Sequence, residues 1–328
     1  MSDAVISLLQ AAIIFGTVIM YGAIGEIIAE KSGSLNLGVP GIMYLGGIAG
    51  LTGVFFYEKS TDAPIPILCV LIALGCCFAA SVFGGLIYSF LTITLRANQN
   101  VTGLTLTIFG SGVANFFGGS LNKLAGGIGQ ISVKTTSAAF RKSIPFLSGM
   151  GSIGKIFFSY GFMVYAAIIV AILASIYLNR TRSGLNLRAV GENPATADAA
   201  GINVIFYKYM ATCIGAGISG FGGLFYVMDY TKGTWANDGT IETLGWLALA
   251  LVIFALWRPL NVVWGSILFG VLYWIYFYIS GLTRSSQELC KLTPYLVTII
   301  VLIITSIRSK RESQPPASLG LAYFREER

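Results

Sequence analysis

The chain has 328 residues, of which 55% are apolar and 11% charged, with a formal net charge of +7. Its mean hydropathy is +0.77. A soluble domain with so few charges would expose apolar patches well beyond the roughly few hundred Å² that soluble surfaces tolerate. This excludes a cytoplasmic globular enzyme, a disordered chain and a fibrous repeat, and leaves an integral membrane protein. The excess of Lys and Arg reads as a cytoplasmic bias of the loops, not as a nucleic-acid footprint.

Charges punctuate the chain and define nine uncharged windows: 4–25, 32–57, 63–95, 97–122, 156–179, 209–228, 243–257, 259–283 and 292–307. A helix needs about 17–25 residues to cross hydrocarbon. The first window follows Asp3 and lacks a basic leader, so it reads as a retained helix, not a cleaved signal. The second opens on Ser-Gly-Ser-Leu-Asn-Leu-Gly, which is poor lipid-facing helix. The third is long enough for a tilted helix plus a half-helix. Windows 243–257 and 292–307 are short, with Arg258 and Arg308 placed to snorkel. The expectation is an all-α membrane protein with about 8–10 transmembrane helices, at least one of them broken. Residues 1–307 form the membrane domain and 308–328 a cytoplasmic tail.

The tail carries Arg308, Lys310, Arg311, Arg325 and Arg328, and the connection 179–208 carries Arg180, Arg182, Arg188 and Lys208. Both are therefore placed in the cytoplasm. Four windows separate them, an even number that agrees with this. The same count puts the basic connection 123–155 outside.

The interior offers little chemistry. The chain has no histidine, and its 14 carboxylates lie at window edges, in loops or in tails, Glu26 at the end of the first helix being the nearest to an exception. That leaves no relay of the kind ion-coupled pumps use and no hydrolytic group. Cys69, Cys76, Cys77, Cys213 and Cys290 read as small hydrophobes, with no metal site. The polar groups are amides and hydroxyls: Asn36, the cluster Asn98, Gln99 and Asn100, and Asn115. They suit an uncharged polar solute; the alternative is that they bond to neighbouring helices, which is the plainer reading for a single residue such as Asn36 or Asn115. Glycines such as Gly46, Gly50, Gly215, Gly217, Gly220, Gly222 and Gly223 read as sites of close helix packing. Gly149-Met150-Gly151-Ser152-Ile153-Gly154 matches a dinucleotide pattern without the strand–turn–helix context that pattern needs, and is set aside. Asn100-Val101-Thr102 lies in an apolar window and is set aside as a glycosylation acceptor.

Within 179–208, Asn193-Pro194 followed by an Ala-rich run starts a short helix. Asn193 is its cap, Pro194 its first residue, Asp198 lies early in it, and Gly201 ends it. A short stiff helix between spans is a lever on which a soluble partner can act.

This stretch, Arg182-Ser183-Gly184 through Gly191-Glu192-Asn193-Pro194 to Gly201-Ile202-Asn203, resembles the ATPase-contacting loop of ABC importer permeases of the branched-chain amino acid and simple-sugar group. Glu30-Lys31-Ser32-Gly33-Ser34-Leu35-Asn36-Leu37-Gly38, Thr94-Leu95-Arg96-Ala97-Asn98-Gln99 and Pro316-Ala317-Ser318-Leu319-Gly320 resemble three further landmarks of that family, in the same order. The resemblance is nearest to the second, shorter permease of bacterial nucleoside uptake systems. Two positions depart from it: Lys31 replaces an Arg, and Pro40 replaces an acid before Gly41, where a kink is expected.

The resemblance implies a bacterial inner-membrane permease with a second permease subunit, cytoplasmic ABC ATPases and an external solute-binding lipoprotein. ATP and Mg would be bound by the ATPases, and this chain would hold no cofactor. Gly191, Glu192, Asn193, Pro194, Asp198 and Gly201 would couple to the ATPase. A nucleoside is the expected solute, its base stacking on aromatics such as Phe109, Phe116 or Trp246. A simple sugar, a branched-chain amino acid, an ATP-independent facilitator and a membrane enzyme are the alternatives.

Overall fold

The computed structural model describes residues 3–124, 131–142, 154, 156–279, 281, 283–308 and 314–324, with the side chains of 121–124, 305 and 308 left undescribed. Residues 149–153, Lys155, Lys310, Arg311, Arg325 and Arg328 lie outside this set. Among the described residues the regular secondary structure is all helix, with one isolated bridge between Ser132 and Thr234. The all-α expectation holds.

Among the described residues, eight helices are long and apolar enough to cross a membrane, and a shorter apolar helix joins them. In chain order they are α1 (Asp3–Glu30), α2 (Val39–Ser60), α3 (Pro66–Ser89, running on through a π-turn at Phe90–Thr94) and α4 (Gln99–Leu124). The short α5 (Lys134–Phe140) precedes α6 (Phe162–Arg180). Two polar helices follow, α7 (Arg182–Glu192) and α8 (Pro194–Ala199). Then come α9 (Val204–Phe225, extended by a π-turn at Tyr226–Tyr230), the short α10 (Thr240–Phe254), α11 (Pro259–Trp274), α12 (Arg284–Cys290) and α13 (Thr293–Arg308).

α1 lies at the centre, packed on α9, α11, α10 and α6, while α2 joins α3, α4 and α9 into the same core. Glycine lets these backbones approach. A Cβ on Gly25 would meet the Gly215 carbonyl oxygen at 2.2 Å, and one on Gly46 would meet the Gly220 Cα at 2.8 Å. Closely packed small residues replace the hydrophobic drive that lipid cannot supply between helices.

Three expectations need correction. Window 63–95 is one continuous span, not a helix plus a half-helix, because the π-turn absorbs the extra residues without a break. Pro40 does not kink α2. It sits in the first turn, where the missing N–H has no intrahelical partner to lose. Finally, α1 runs five residues past its window, to Glu30, so Glu26 and Glu30 are both helical and both buried, at 2% and 4% exposure. The core therefore does hold carboxylates, and they have work to do.

Candidate functional site

The four landmark stretches, far apart in sequence, meet at one end of the bundle. Residues 31–38 form a buried non-helical link between α1 and α2, with Ser32, Ser34 and Asn36 almost inaccessible. Buried backbone needs partners. The Glu26 carboxylate accepts the Asn36 N–H at 2.9 Å, and the Asn36 side-chain oxygen accepts the Gly38 N–H at 2.9 Å. Gln99, the first residue of α4, accepts the Leu35 N–H at 2.7 Å, and the Tyr88 hydroxyl donates to the Leu35 carbonyl at 2.5 Å. Glu30 accepts from the indole N–H of Trp257, which ties in the turn after α10.

The α7–α8 pair lies over this link. Thr181 caps α7 by accepting the Gly184 N–H at 3.0 Å. Asn193 stands at the corner in extended conformation. Its N–H closes α7 onto the Ala189 carbonyl at 2.9 Å, while its side-chain oxygen caps α8 by accepting the Thr196 N–H at 3.0 Å. Pro194 follows as the first residue of α8. Gly201, at φ +84°, ends it as the Ile202 N–H returns to the Ala197 carbonyl at 3.0 Å. Asn203 then caps α9 through the Phe206 N–H at 3.0 Å. The sequence placed the Asn193 cap, Pro194 and Gly201 correctly. It did not show that 182–192 is itself a helix.

Gly191 is the meeting point. A Cβ there would lie 2.3 Å from the Lys31 carbonyl oxygen. Its own carbonyl accepts both the Ser318 N–H at 3.0 Å and the Ser318 hydroxyl at 2.5 Å. The Gly320 N–H reaches the Gly33 carbonyl at 3.2 Å, and Gly33 itself sits at φ +84°. The tail continues across this end. The Leu321 carbonyl accepts the Gln99 amide at 3.3 Å, the Tyr323 hydroxyl donates to Asp198 at 2.9 Å, and the Arg96 guanidinium lies 4.7 Å over the Phe324 ring. Ser318, Tyr323 and the two glutamates were missed as contributors. Ser318 lies in the tail motif, Glu30 opens the first landmark and Glu26 stood out as the carboxylate nearest a span, but no sequence signal pointed to Tyr323.

One face of α7 is buried through Gly184, Leu187, Val190 and Gly191. α8 buries Ala197 and leaves Ala195, Thr196, Ala199 and Ala200 exposed, as are Glu192 and Asn193 beside them. The result is a short, doubly capped helix, anchored from below and open outward. A cavity of about 680 Å³ beside it gathers Lys31, Arg188, Arg258 and Glu192. Burial lowers the Lys31 pKa from the ordinary lysine range; Glu192 opposes this and Arg188 adds to it.

The proposed pathway residues divide into two groups. Asn36 and Gln99 spend hydrogen bonds on the 31–38 link. Asn98 caps α4, accepting the Asn100 and Val101 N–H groups at 3.0 and 3.1 Å. Asn100, Phe109, Asn115 and Phe116 are exposed on α4, beside Gly112 and Gly119, where nothing lies within 4 Å. Trp246 is half-buried in α10 against the core. Among the described residues no group of His, Cys, Asp and Glu is placed to hold a metal ion.

The profile of the family described as "Branched-chain amino acid transport system / permease component" matches residues 8–304. A nucleoside ABC transporter permease of Lactococcus lactis is 31% identical over 89% of this chain and 90% of its own. A guanosine ABC transporter permease of Bacillus subtilis is 30% identical over 80% of this chain and 79% of its own. A protein of Haloferax volcanii, named as a proposed glucose ABC transporter permease, is 30% identical over 97% of this chain and 98% of its own. No solved structure matches the chain significantly.

Proposed function

The chain belongs to the branched-chain amino acid transport system permease family, and we propose that it is one of two permease subunits of a nucleoside-importing ABC system in a bacterial cytoplasmic membrane. The observation that carries this is the convergence on Gly191: the link 31–38, the capped α7–α8 corner and the tail form one bonded unit under an exposed α8. Such a unit transmits a push on α8 to α1, α2 and α9, because the chain runs directly from it into each of them and the bonds at Gly191 and Gly33 hold its parts together. Cytoplasmic ATPases supply that push and hold the ATP and Mg. An external lipoprotein delivers the solute, and this chain has no catalytic step of its own.

The pathway runs along the outer face of α4. The exposed side of α4 sets Asn100, Asn115 and the bare Gly112 and Gly119 among Val101, Leu104, Ile108 and the phenylalanines, and a second permease closing over it would cover the amides and the glycine backbone. Asn115 would bond a base edge or ribose there and Phe109 or Phe116 would stack on the base, while Asn100, about 22 Å further along the helix, would line the approach. Nucleoside is favoured over amino acid because the described side chains of α4 offer no charge for a zwitterion. A sugar is the second reading, favoured by the name and near-complete coverage of the Haloferax volcanii relative.

The test is uptake of radiolabelled guanosine and uridine by cells expressing the chain with its neighbouring ATPase, permease and lipoprotein genes. Competition by unlabelled nucleoside, with none by glucose or leucine, is the expected result. Competition by glucose alone would replace the nucleoside with a sugar. Uptake that persists when the ATPase is inactivated would overturn the ATP-coupled reading.

A further inference from the structure

A second cavity, of about 480 Å³, lies at the same end of the bundle, and the transport reading does not use it. It sits between the end of α3, the start of α4, the α8–α9 turn and the tail residues Leu321, Ala322 and Tyr323. Lys208, in the second turn of α9, lines it and is only 3% exposed. Among the described residues its ammonium has neither a carboxylate nor a hydrogen-bond acceptor; only its backbone carbonyl is bonded, to Thr212. An ammonium so enclosed is hydrated only through the cavity, so an anion entering there would offset its loss of solvation.

The other charged groups facing the cavity favour that anion. Arg96 supplies a second cation at the mouth, steadied over the Phe324 ring. The one acid of the lining, Asp198, accepts the Tyr323 hydroxyl at 2.9 Å. Two cations thus face one acid. The depth matters as well. The apolar span containing α3 ends at Thr94, and Lys208 lies one turn inside the span that begins at Val204. The cavity is therefore level with the headgroup layer. Leu95, Ile205 and Phe206, each more than half exposed, flank it with surface suited to acyl chains.

We propose that Lys208 and Arg96 form a phosphate-binding site at the cytoplasmic membrane interface. Arg96 offers the phosphate a planar fork of donors and Lys208 a buried point charge. The phosphate comes either from an anionic phospholipid headgroup or from free phosphate. The proposal stands apart from the identity of the transported solute.

Purified full-length chain in neutral detergent is titrated with phosphatidylglycerol, with diacylglycerol of the same chains and with inorganic phosphate, and bound species are read by native mass spectrometry. The wild type should retain phosphatidylglycerol and not diacylglycerol. Lys208→Met should weaken retention by about tenfold or more, while Lys208→Arg should restore most of it. Lys208→Met removes an unpaired ammonium, so its lipid-free melting temperature should equal or exceed the wild type's. If it melts lower, Arg96→Gln at the exposed mouth serves instead, with a several-fold loss expected. Lys208-dependent binding of inorganic phosphate alone would identify free phosphate as the ligand and support the site. Retention of phosphatidylglycerol that is equal in wild type and variants, or equal binding of diacylglycerol, would overturn it.

Discussion

Gly191 shows how much can rest on the absence of one side chain. Its hydrogen atom faces the Lys31 carbonyl at a distance no Cβ tolerates, and its carbonyl receives Ser318 twice. Gly191→Ala should therefore push the tail and the 31–33 backbone apart, costing about 1–3 kcal/mol, as overpacking does. The melting temperature of the purified chain and ATP-driven uptake should both fall. Unchanged values would show that the backbone yields freely there. Asn193 works by local chemistry instead. Asn193→Ala removes the cap of α8, worth about 1 kcal/mol, whereas Asn193→Asp keeps an acceptor and should keep most uptake. The difference between the two residues explains what was legible. A cap, a first-turn proline and a terminating glycine are signalled within a few residues, so Asn193, Pro194 and Gly201 could be read directly. What Gly191 touches lies some 130 to 160 residues away, and no local pattern announces it. The buried glutamates were misjudged for a related reason. Charge was taken to mark the edge of a span, but Glu26 and Glu30 are inside α1 because the link 31–38 and Trp257 bring donors to them.

At the scale of elements, the tail behaves as a strap. Ser318, Gly320, Leu321 and Tyr323 are bonded in turn to α7, to the 31–38 link, to α4 and to α8. None of those elements is held by the strap alone, so its loss should loosen them without unfolding the bundle. Deleting residues 316–328 should speed amide hydrogen exchange in 31–38 and 194–203 while α1 and α9 stay protected. Tyr323→Phe should give a weaker form of the same effect, costing about 0.5–1.5 kcal/mol for one hydrogen bond. Unaltered exchange in the truncated chain would mean the strap is passive. The existence of the spans was plain from uncharged windows, since lipid forbids unpaired charge along a helix. Their details were not. A π-turn adds residues to a span without altering its hydropathy, so window 63–95 looked like two pieces. α7 carries Arg182, Arg188 and Glu192 and is half exposed, which hid it from a search for apolar runs.

For the whole molecule, the question is how many times the chain crosses. α10 has 15 residues and a length of about 22 Å, short of a hydrocarbon core of about 30 Å. It crosses nevertheless. Asp238, just before it, accepts the Tyr226 hydroxyl near the far end of α9, while Trp257, just after it, donates to Glu30 at the end where α1 finishes. The helix must join one end of the bundle to the other, with the turn 255–258 supplying the missing reach. Among the described residues the eight candidate spans and α10 would then make nine crossings, which place the 179–208 connection and the tail together, as Tyr323 and Asp198 attest. The residues around α5 and α12 fall at the opposite end, where the Thr136 N–H meets Glu58 at 2.8 Å and Thr293 reaches the Leu272 carbonyl at 3.3 Å. The positive-inside rule, applied to the Lys and Arg of 179–208, predicts that the first end faces the cytoplasm. Single cysteines at exposed positions test this directly, with the unaltered chain as baseline for its own five cysteines. In intact cells, a membrane-impermeant maleimide should label Ser285→Cys and spare Ala199→Cys. In inside-out vesicles the pattern should reverse. Labelling of both from the same side would remove a crossing, and α10 would be the one to go; a full inversion would instead turn α8 away from any cytoplasmic ATPase and end the coupling reading.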